Sequence, residues 1–448
     1  MTPLNRLLAT GLLVALAAVA RGQEVPAPRF NSPYSRIGVG DVARNAYAAQ
    51  LGMGGIGAAF SDPRISSPTN PAALGALRFT SFQVGVELDR TSLESGALES
   101  ESTDGNLRYL SLSFPLQNSL QRVLDGKSSK WRNGMLFTLA PYSDVGYNVQ
   151  LNSPLEGLGE VENSFRGSGG YYRLQWGNGF EYERLRGGVN VSYIFGRTNN
   201  QQVVLPVDAD GDRIGASTYT ETDALRARGV ELQFGAQYDF VLKETEVQPT
   251  HLLTVGASYT LSTQLNGEGS RLATSQNFLG GTFPGFVDTL VFDLDASQRV
   301  QLPARYGIGA MYRHVDKFSF GFDVERVQWS DFENSLRPGE VLDDVIRLSA
   351  GGEWVPNPKA FGKYWARARY RFGAYSNQSP RPGVNNEVGV SVGLGLPVVR
   401  PREETSYVNL SLNAGRFGEE ADISQRYVRL VVGFTLTDNS WFYKRRFN

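Results

Sequence analysis

The sequence has no cysteine and only two histidines among its 448 residues. The lack of cysteine excludes disulfide frameworks, thiolate nucleophiles, lipid attachment at a cysteine and thiolate metal sites. Two histidines leave little for acid–base or metal chemistry. We therefore expect neither an enzyme nor a resident cofactor.

An excess of charge of one sign is also missing, since 44 basic and 45 acidic residues give a net charge of -1. Such a chain has no global field that would recruit nucleic acid. We expect no nucleic-acid partner.

Long hydrophobic runs are absent apart from Leu7 to Ala20, which follows Arg6 and ends near the small residue Gly22. This run is short for a membrane helix, which needs about twenty residues. We interpret residues 1–22 as a signal peptide, with an uncleaved anchor as the alternative. An exported chain without later spanning runs can stay in a membrane only as a closed barrel. Otherwise it is a soluble periplasmic β protein.

After about Arg78 the chain alternates apolar residues with small or polar ones in segments near ten residues long. In KFSFGFDVERV, Phe318, Phe320 and Phe322 share one face, whereas Asp323 and Glu325 share the other. One face suits lipid and the other water. The sequence thus predicts an all-β fold, a transmembrane antiparallel β-barrel of about fourteen strands over residues 78–448. A soluble β-sandwich is the alternative.

This alternation directs a set of charges into the barrel. Because charges removed from water need partners, we expect a plug to bind them. The predicted inward charges are Arg173, Glu231, Asp323, Glu325, Arg347, Glu353, Arg367, Arg369 and Arg371.

The breaks between strands alternate in length, as long outer loops and short periplasmic turns do. Residues 92–106, 154–170 and 263–286 are predicted long loops, whereas YERLR and HVDK are predicted short turns.

Residues 23–77 break the alternation and are rich in Gly, Ala, Pro and Asn. Small residues permit close backbone packing, so we predict that this segment is a hatch, or plug, inside the barrel lumen. The string from Gly52 to Gly57 is similar to a phosphate-binding loop, but no strand precedes it, and we interpret it as hatch packing. The predicted hatch residues are Gly52, Gly54, Gly55, Asn70, Pro71 and Ala72.

The run from Leu51 to Leu74, directly before the first strand, resembles the hatch of the FadL/OmpP1 long-chain fatty acid transporter superfamily. It is also similar to the PorV-type accessory barrels of Bacteroidetes. The Bacteroidetes branch is resembled further by the segments Ser32–Asp41 and Leu139–Asn148 and by the ending WFYKRRFN. The motifs that carry the hatch resemblance are Gly52-Met53-Gly54-Gly55, Ala58-Ala59, Ser61-Asp62 and Asn70-Pro71-Ala72-Ala73-Leu74.

The resemblance implies fourteen strands, an N-terminal hatch and, in true transporters, a path that leaves sideways through a kinked third strand. Pro141 lies within the predicted third strand, where its missing N–H must interrupt the ladder. Ala140, Pro141, Tyr142 and Ser143 are therefore candidates for the rim of a lateral gate. An ordinary β-bulge is the alternative.

A cluster of apolar residues falls in predicted outer loops, where exposed apolar patches often mark binding sites. It could be a landing groove for a ligand, a self-packed loop or an interface with another protein. Its members are Phe278, Leu279, Phe283, Phe286, Leu155 and Leu158.

Two further groups carry weaker signals. Asp208, Asp210 and Asp212 have calcium-loop spacing, but Arg213 replaces the usual Gly and Tyr219 the bidentate Glu, so a solvated turn is favoured over a metal site. His251 and His314 fall at predicted strand edges without a Ser or Asp motif. A third class of function, an outer-membrane hydrolase, would need such a motif.

The sequence predicts a monomeric barrel in the outer membrane of a Gram-negative cell, in contact with membrane lipid. Its leading function is passive uptake of hydrophobic or amphipathic, fatty-acid-like molecules, with capture at the outer loops, hatch rearrangement and lateral release. The alternative is an accessory barrel that holds another protein at its outer loops during secretion or envelope assembly.

Overall fold

The computed structural model describes residues 31–96, 98–117, 130–155, 159–207, 218–245, 249–279, 283–384, 386–399, 405–418 and 423–438. The predicted signal peptide lies outside the described residues. Among the described residues, no helix is long and apolar enough to cross a membrane.

The described chain is almost entirely strand. The strands are β1 (Asp41–Val42), β2 (Thr80–Ser95), β3 (Leu98–Pro115), β4 (Trp131–Leu155), β5 (Gly159–Tyr182), β6 (Leu185–Val207), β7 (Thr218–Glu244), β8 (Pro249–Thr260), β9 (Thr263–Leu279), β10 (Phe283–Leu302), β11 (Arg305–His314), β12 (Phe318–Val327), β13 (Glu333–Asn334), β14 (Val345–Trp354), β15 (Arg369–Asn377), β16 (Glu387–Val399), β17 (Thr405–Gly418) and β18 (Ser424–Asp438). One short α-helix, α1 (Ala48–Leu51), and four 3₁₀ turns (Pro33–Arg36, Pro71–Ala76, Trp329–Asp331 and Trp365–Arg367) complete the described elements.

The strands from β2 onwards form one antiparallel sheet that closes where β18 pairs with β2. Short interruptions divide three wall strands into the pairs β8 with β9, β10 with β11 and β12 with β13. Counted as single strands, they bring the described wall to fourteen. The predicted barrel and its strand number are confirmed.

The two faces of the wall differ as the alternation predicts. On β12, Phe318, Phe320 and Phe322 are 42%, 51% and 46% exposed. Asp323, the next residue along the strand, points to the other face and is buried. An exterior of this kind suits lipid, and a closed barrel with such an exterior is typical of Gram-negative outer-membrane proteins.

The wall is much taller on one side than on the other. Strands β4 to β7 contain 23 to 27 residues each, whereas β12 and β14 contain 10. A membrane-spanning strand needs only about 9–11 residues. The tall strands therefore continue well beyond the lipid.

Because the wall is tall, the predicted long loops are wrong. Most of residues 92–106, 154–170 and 263–286, predicted as long loops, are strand. Their Gly and Asn content suggested loops, but ladder pairing with equally long neighbours keeps polar residues extended. The turns at Glu183-Arg184 and Val315–Lys317 are short, as predicted. Arg367 is corrected too, because it lies in a 3₁₀ turn rather than on a strand.

Residues 31–77, named here the N-terminal segment, lie against the inner side of the wall. The 3₁₀ turn Pro71–Ala76 contacts β4 to β7, and α1 contacts β16 to β18 on the other side of the ring. Most of the segment is buried, including Tyr47, Gln50, Ile56 and Asn70. The segment is therefore packed against two separate parts of the closed ring.

Candidate functional site

Neighbouring strands β3 and β4 pair over only part of their length. Leu110 to Pro115 of β3 face Leu139 to Gly134 of β4, and no further pairs join these strands among the described residues. Directly after this stretch, the register of β4 against β5 shifts between Pro141 and Ser143. The proline, which cannot donate to the ladder, thus lies where the wall opens.

The N-terminal segment occupies the edge of β4 that β3 leaves free. In the short ladder between β1 and β4, Asp41 lies opposite Asp144 and Val42 opposite Ser143. The N–H of Ala43 donates to the carbonyl of Tyr142 at 2.9 Å.

A second set of bonds lies further along the same edge of β4. Ser32 N–H donates to the Gly146 carbonyl at 2.7 Å, and the Ser143 hydroxyl donates to the Val39 carbonyl at 2.7 Å. The wall here is completed by the N-terminal segment, not by its neighbouring strand.

Beside this edge lies a cavity of about 290 Å³. Residues Ile37 to Asn45 line the cavity, and so do Tyr142, Arg173, Arg305 and Arg347. The apolar part of its lining includes Val39, Val327, Trp329, Leu342 and Val345. The cavity therefore combines an apolar lining with arginines.

Most of these arginines are paired. Glu231 accepts from Arg173 at 3.3 Å and from Arg305 at 2.5 Å, and both guanidinium groups lie over the Tyr142 ring. Arg347 differs, because it forms no ion pair with a described residue and its guanidinium lies 5.1 Å from the centre of the Tyr375 ring. Among the described residues, Arg347 is the one arginine of the lining without an ion pair, and it lies opposite Glu325 in the ladder of β12 and β14.

Polar wall residues hold the N-terminal segment in place. Asp323 accepts the backbone N–H groups of Gly57 and Ala58, the second at 2.8 Å. Arg44 donates to Glu325 at 3.1 Å. Burial lowers the pKa of Arg44 to about 10, so its guanidinium stays positive at neutral pH.

A second ion pair joins the segment to the base of the wall. The Asp62 carboxylate lies 2.9 Å from the Arg369 guanidinium. Burial acts to raise the pKa of Asp62, but the charge and hydrogen bond of Arg369, together with the backbone N–H and charge of Arg64, hold the pKa below its usual value. The prediction that inward charges bind the N-terminal segment is confirmed for Asp323, Glu325 and Arg369.

The Asn70 side chain is fully buried, and it both donates and accepts hydrogen bonds. Its amide donates to the carbonyls of Ala58 at 2.6 Å and Ala257 at 3.1 Å, and its side-chain oxygen accepts from Ala72 N–H at 3.0 Å. A Cβ on Gly235 would lie 1.9 Å from that oxygen. The wall thus carries glycine where Asn70 makes its closest approach.

The predicted hatch residues lie together in the N-terminal segment. Gly54 and Gly55 have φ of +70° and +77°, a conformation that favours glycine. A Cβ on Gly373 of the wall would meet the Gly54 nitrogen at 2.1 Å. Asn70 and Pro71 begin the 3₁₀ turn of the segment.

The gate residues Ala140, Pro141, Tyr142 and Ser143 lie at the break between β3 and β4, and the Tyr142 side chain lines the cavity.

The residues of the predicted landing groove do not lie in a loop. Phe278, Leu279, Phe283 and Phe286 belong to the strands β9 and β10, so the prediction of a loop there is wrong. Their side chains and that of Leu155 lie outside the described residues, as does all of Leu158. The calcium candidates Asp208, Asp210 and Asp212 lie outside them as well.

The two histidines are neighbours. His251 of β8 faces His314 of β11 with ring centres 4.4 Å apart, and the His251 Nδ1 atom lies 2.6 Å from the Tyr312 hydroxyl. No group of three or more potential metal ligands occurs within the described ranges.

Sequence reasoning missed Arg44 and Arg305, which complete the ionic lining. Arg305 alternates with the outward residues Tyr306 and Ile308, so its inward direction was readable from the pattern. Arg44 lies in a segment without alternation, and only the fold brings it to Glu325.

The sequence and the fold are similar to those of known proteins. The profile of the BamG family matches residues 6–448. No curated protein matches the sequence significantly.

Several solved structures share the fold. The Pseudomonas putida toluene transporter TodX is 19% identical with a TM-score of 0.56, over 89% of this chain and 99% of TodX. The Ralstonia pickettii toluene transporter TbuX is 15% identical with a TM-score of 0.55, over 88% and 98%. A Pseudomonas aeruginosa FadL homologue is 14% identical with a TM-score of 0.55, over 89% and 99%. The predicted FadL-type fold is confirmed.

Proposed function

The chain belongs to the BamG family, and from its FadL-type fold and the break in its wall we propose that it passes hydrophobic or amphipathic small molecules across the outer membrane by diffusion. The toluene transporters TodX and TbuX share its fold, and they support this proposal by analogy alone.

One observation carries the proposal. The wall breaks between β3 and β4 at Pro141, and the N-terminal segment fills that break through only a two-residue ladder and a few further bonds. A short ladder costs little to separate, because each hydrogen bond contributes a net of about 1 kcal/mol. Movement of residues 32–43 would connect the cavity with the bilayer.

The lining of the cavity favours an amphipathic ligand over a pure hydrocarbon. Its apolar residues suit an alkyl chain, and the unpaired guanidinium of Arg347 suits a carboxylate. We propose that the acidic group of the ligand lies at Arg347 and that its chain points towards Tyr142. Transfer of the chain into lipid would drive release.

In this scheme Phe278, Leu279, Phe283, Phe286, Leu155 and Leu158 form the outer landing site. Gly54, Asn70 and Pro71 would hold the hatch while the gate segment moves. Ala140 to Ser143 would form the rim of the exit.

A disulfide lock tests the proposal. Val42 and Ser143 lie opposite each other in the ladder, at a separation that a disulfide can bridge, and the chain has no other cysteine. We expect Val42→Cys with Ser143→Cys to abolish uptake of a labelled fatty acid into proteoliposomes when oxidised and to restore it when reduced.

The matched control is Thr91→Cys with Ser102→Cys, a facing pair in the β2–β3 hairpin. This disulfide should leave uptake unchanged. Equal uptake in the oxidised and reduced forms of the Val42 and Ser143 variant would refute lateral release.

The tall side of the wall favours a second function, which is holding another protein at the cell surface. Strands β4 to β7 extend far beyond the length that lipid requires, and diffusion of a small molecule does not need this height. Native mass spectrometry of the protein from its own outer membrane would separate the two functions. A bound lipid-like molecule supports transport, whereas a stoichiometric partner with an empty barrel supports the holding role.

A further inference from the structure

The tall side of the wall ends at a strand with an open edge. Strand β10 pairs with β9 along one edge. On its other edge, only Val300 and Gln301 pair with β13, and Arg299 bonds to Ser335. From Val287 to Ser297 this edge pairs with no described strand.

Four large apolar side chains are exposed along this edge. Val287, Leu290, Phe292 and Leu294 are 58%, 54%, 63% and 57% exposed. The register against β9 shifts after Thr289 and after Asp293, which brings Leu290 and Leu294 out of the alternation. Bulges therefore concentrate apolar surface here.

This patch lies above the lipid-facing zone. On β7 the outward residues are apolar up to Val230 and change to arginine at Arg228. Arg228 pairs with Asn266 of β9, and Phe292 faces Leu272, six residues further along β9. Six residues of strand span about 20 Å. Lipid contact does not explain the patch, so it is a candidate protein interface.

The charge along the edge has one sign. The sequence from Phe283 to Gln298 contains Asp288, Asp293 and Asp295 but no Lys or Arg. Asp288 and Asp293 are exposed, and neither forms an ion pair with any residue that the structure describes. In the ladder, Asp288 lies opposite Ser275 of β9 and Asp293 lies opposite Arg271. Both aspartates are on the face of the sheet opposite to that of Val287 and Phe292.

We propose that the open edge of β10 from Val287 to Leu294 binds an extended segment of a partner protein in which apolar and basic residues alternate. Side chains of an added strand point alternately to the two faces of the sheet. One set would pack on Val287 and Phe292, and the other would lie beside Asp288 and Asp293. Native edge strands are usually protected by lysine or proline, and this stretch contains neither.

This inference deepens the second function proposed above and rests on it, but it can fail alone. If mass spectrometry finds a stoichiometric partner that remains bound when the β10 edge is altered, the holding role stands and the edge is excluded. If no partner exists, the holding role itself fails.

The direct test uses a fluorescent peptide of about ten residues that alternates valine and lysine. Fluorescence anisotropy would measure its binding to the purified full chain in detergent. We expect Phe292→Lys with Asp293→Lys to weaken binding by about tenfold or more, because cross-strand apolar and charge contacts are both lost. Leu151→Lys, at a leucine 52% exposed on β4, is the matched control and should bind as the parent does.

Three results would overturn the proposal. The variant could bind the peptide as tightly as the parent does. A peptide that alternates valine and glutamate could bind equally well, which would exclude the role of Asp288 and Asp293. The parent could form a dimer that Phe292→Lys dissociates, which would assign the edge to a second copy of this chain.

Discussion

Asp62 lies 2.9 Å from Arg369, an ion pair that joins the N-terminal segment to the end of β15. Glu353 shares the same guanidinium at 3.3 Å. Each partner is largely buried, at 13% side-chain exposure for Asp62 and Arg369 alike. The two residues are 307 positions apart, so the fold and not a local pattern brings them together.

Asp62→Asn should loosen the N-terminal segment without unfolding the wall. The amide cannot match the charge of Arg369, so we expect a loss of about 1–3 kcal/mol. Urea unfolding in detergent would measure this loss. Glu101→Gln, which removes the exposed pair with Arg90, is the control and should change stability by less than about 1 kcal/mol. Equal effects of both substitutions would argue against a special role of the buried pair.

Acid should loosen the segment by the same route. The pKa of Asp62 is below its usual value in the folded protein. The pair therefore contributes its full stability above the ordinary carboxyl pKa, about 4, and loses it as pH falls through the lower folded value. Between pH 7 and about 3, the parent should lose more stability than Asp62→Asn. Parallel pH profiles would contradict this assignment.

Pro141→Val should slow passage of ligand. Valine restores an N–H that can complete the ladder at the break, and it favours regular strand. Uptake of a labelled fatty acid into proteoliposomes is the measurement. Pro397→Val in β16, a strand paired with β17 without a register shift from Val388 to Val399, is the control. If both variants transport at the parent rate, the proline is an ordinary bulge residue.

The alternation of apolar and polar residues made the barrel predictable, because lipid on one side and water on the other impose a period of two. Phe318, Phe320 and Phe322 show this directly. The same rule failed above the membrane, where the outward faces of β5 and β9 no longer meet lipid and polarity no longer marks the strand. The sequence around Phe278 and Phe283 therefore predicts a loop where the structure has strand.

The N-terminal segment was less predictable in detail. Its composition indicated packing inside the lumen, but its contacts depend on which wall residues the closed ring brings near. The pair of Arg44 with Glu325 joins residues 281 positions apart and follows no local pattern. The ladder of Asp41 and Val42 with β4 likewise depends on the early end of the β3 pairing.

Asn70→Ala should release the N-terminal segment from the wall more selectively than any charge substitution. Alanine removes the amide that donates to the carbonyls of Ala58 and Ala257, and it removes the acceptor for Ala72 N–H. Loss of buried bonds costs about 1–3 kcal/mol. We expect faster entry of a small sugar in a liposome-swelling assay, since a displaced segment leaves the lumen open to water.

Asn133→Ala is the matched control for this substitution. Asn133 bonds to Asn178 across β4 and β5 and has no bond to the N-terminal segment. It should lower stability slightly and leave sugar entry unchanged, because the lumen stays filled. Sugar entry at the parent rate in Asn70→Ala, with a measured loss of stability, would mean that Asn70 supports the fold but that the segment does not seal the barrel. Faster entry in Asn70→Ala alone would assign the seal to the segment.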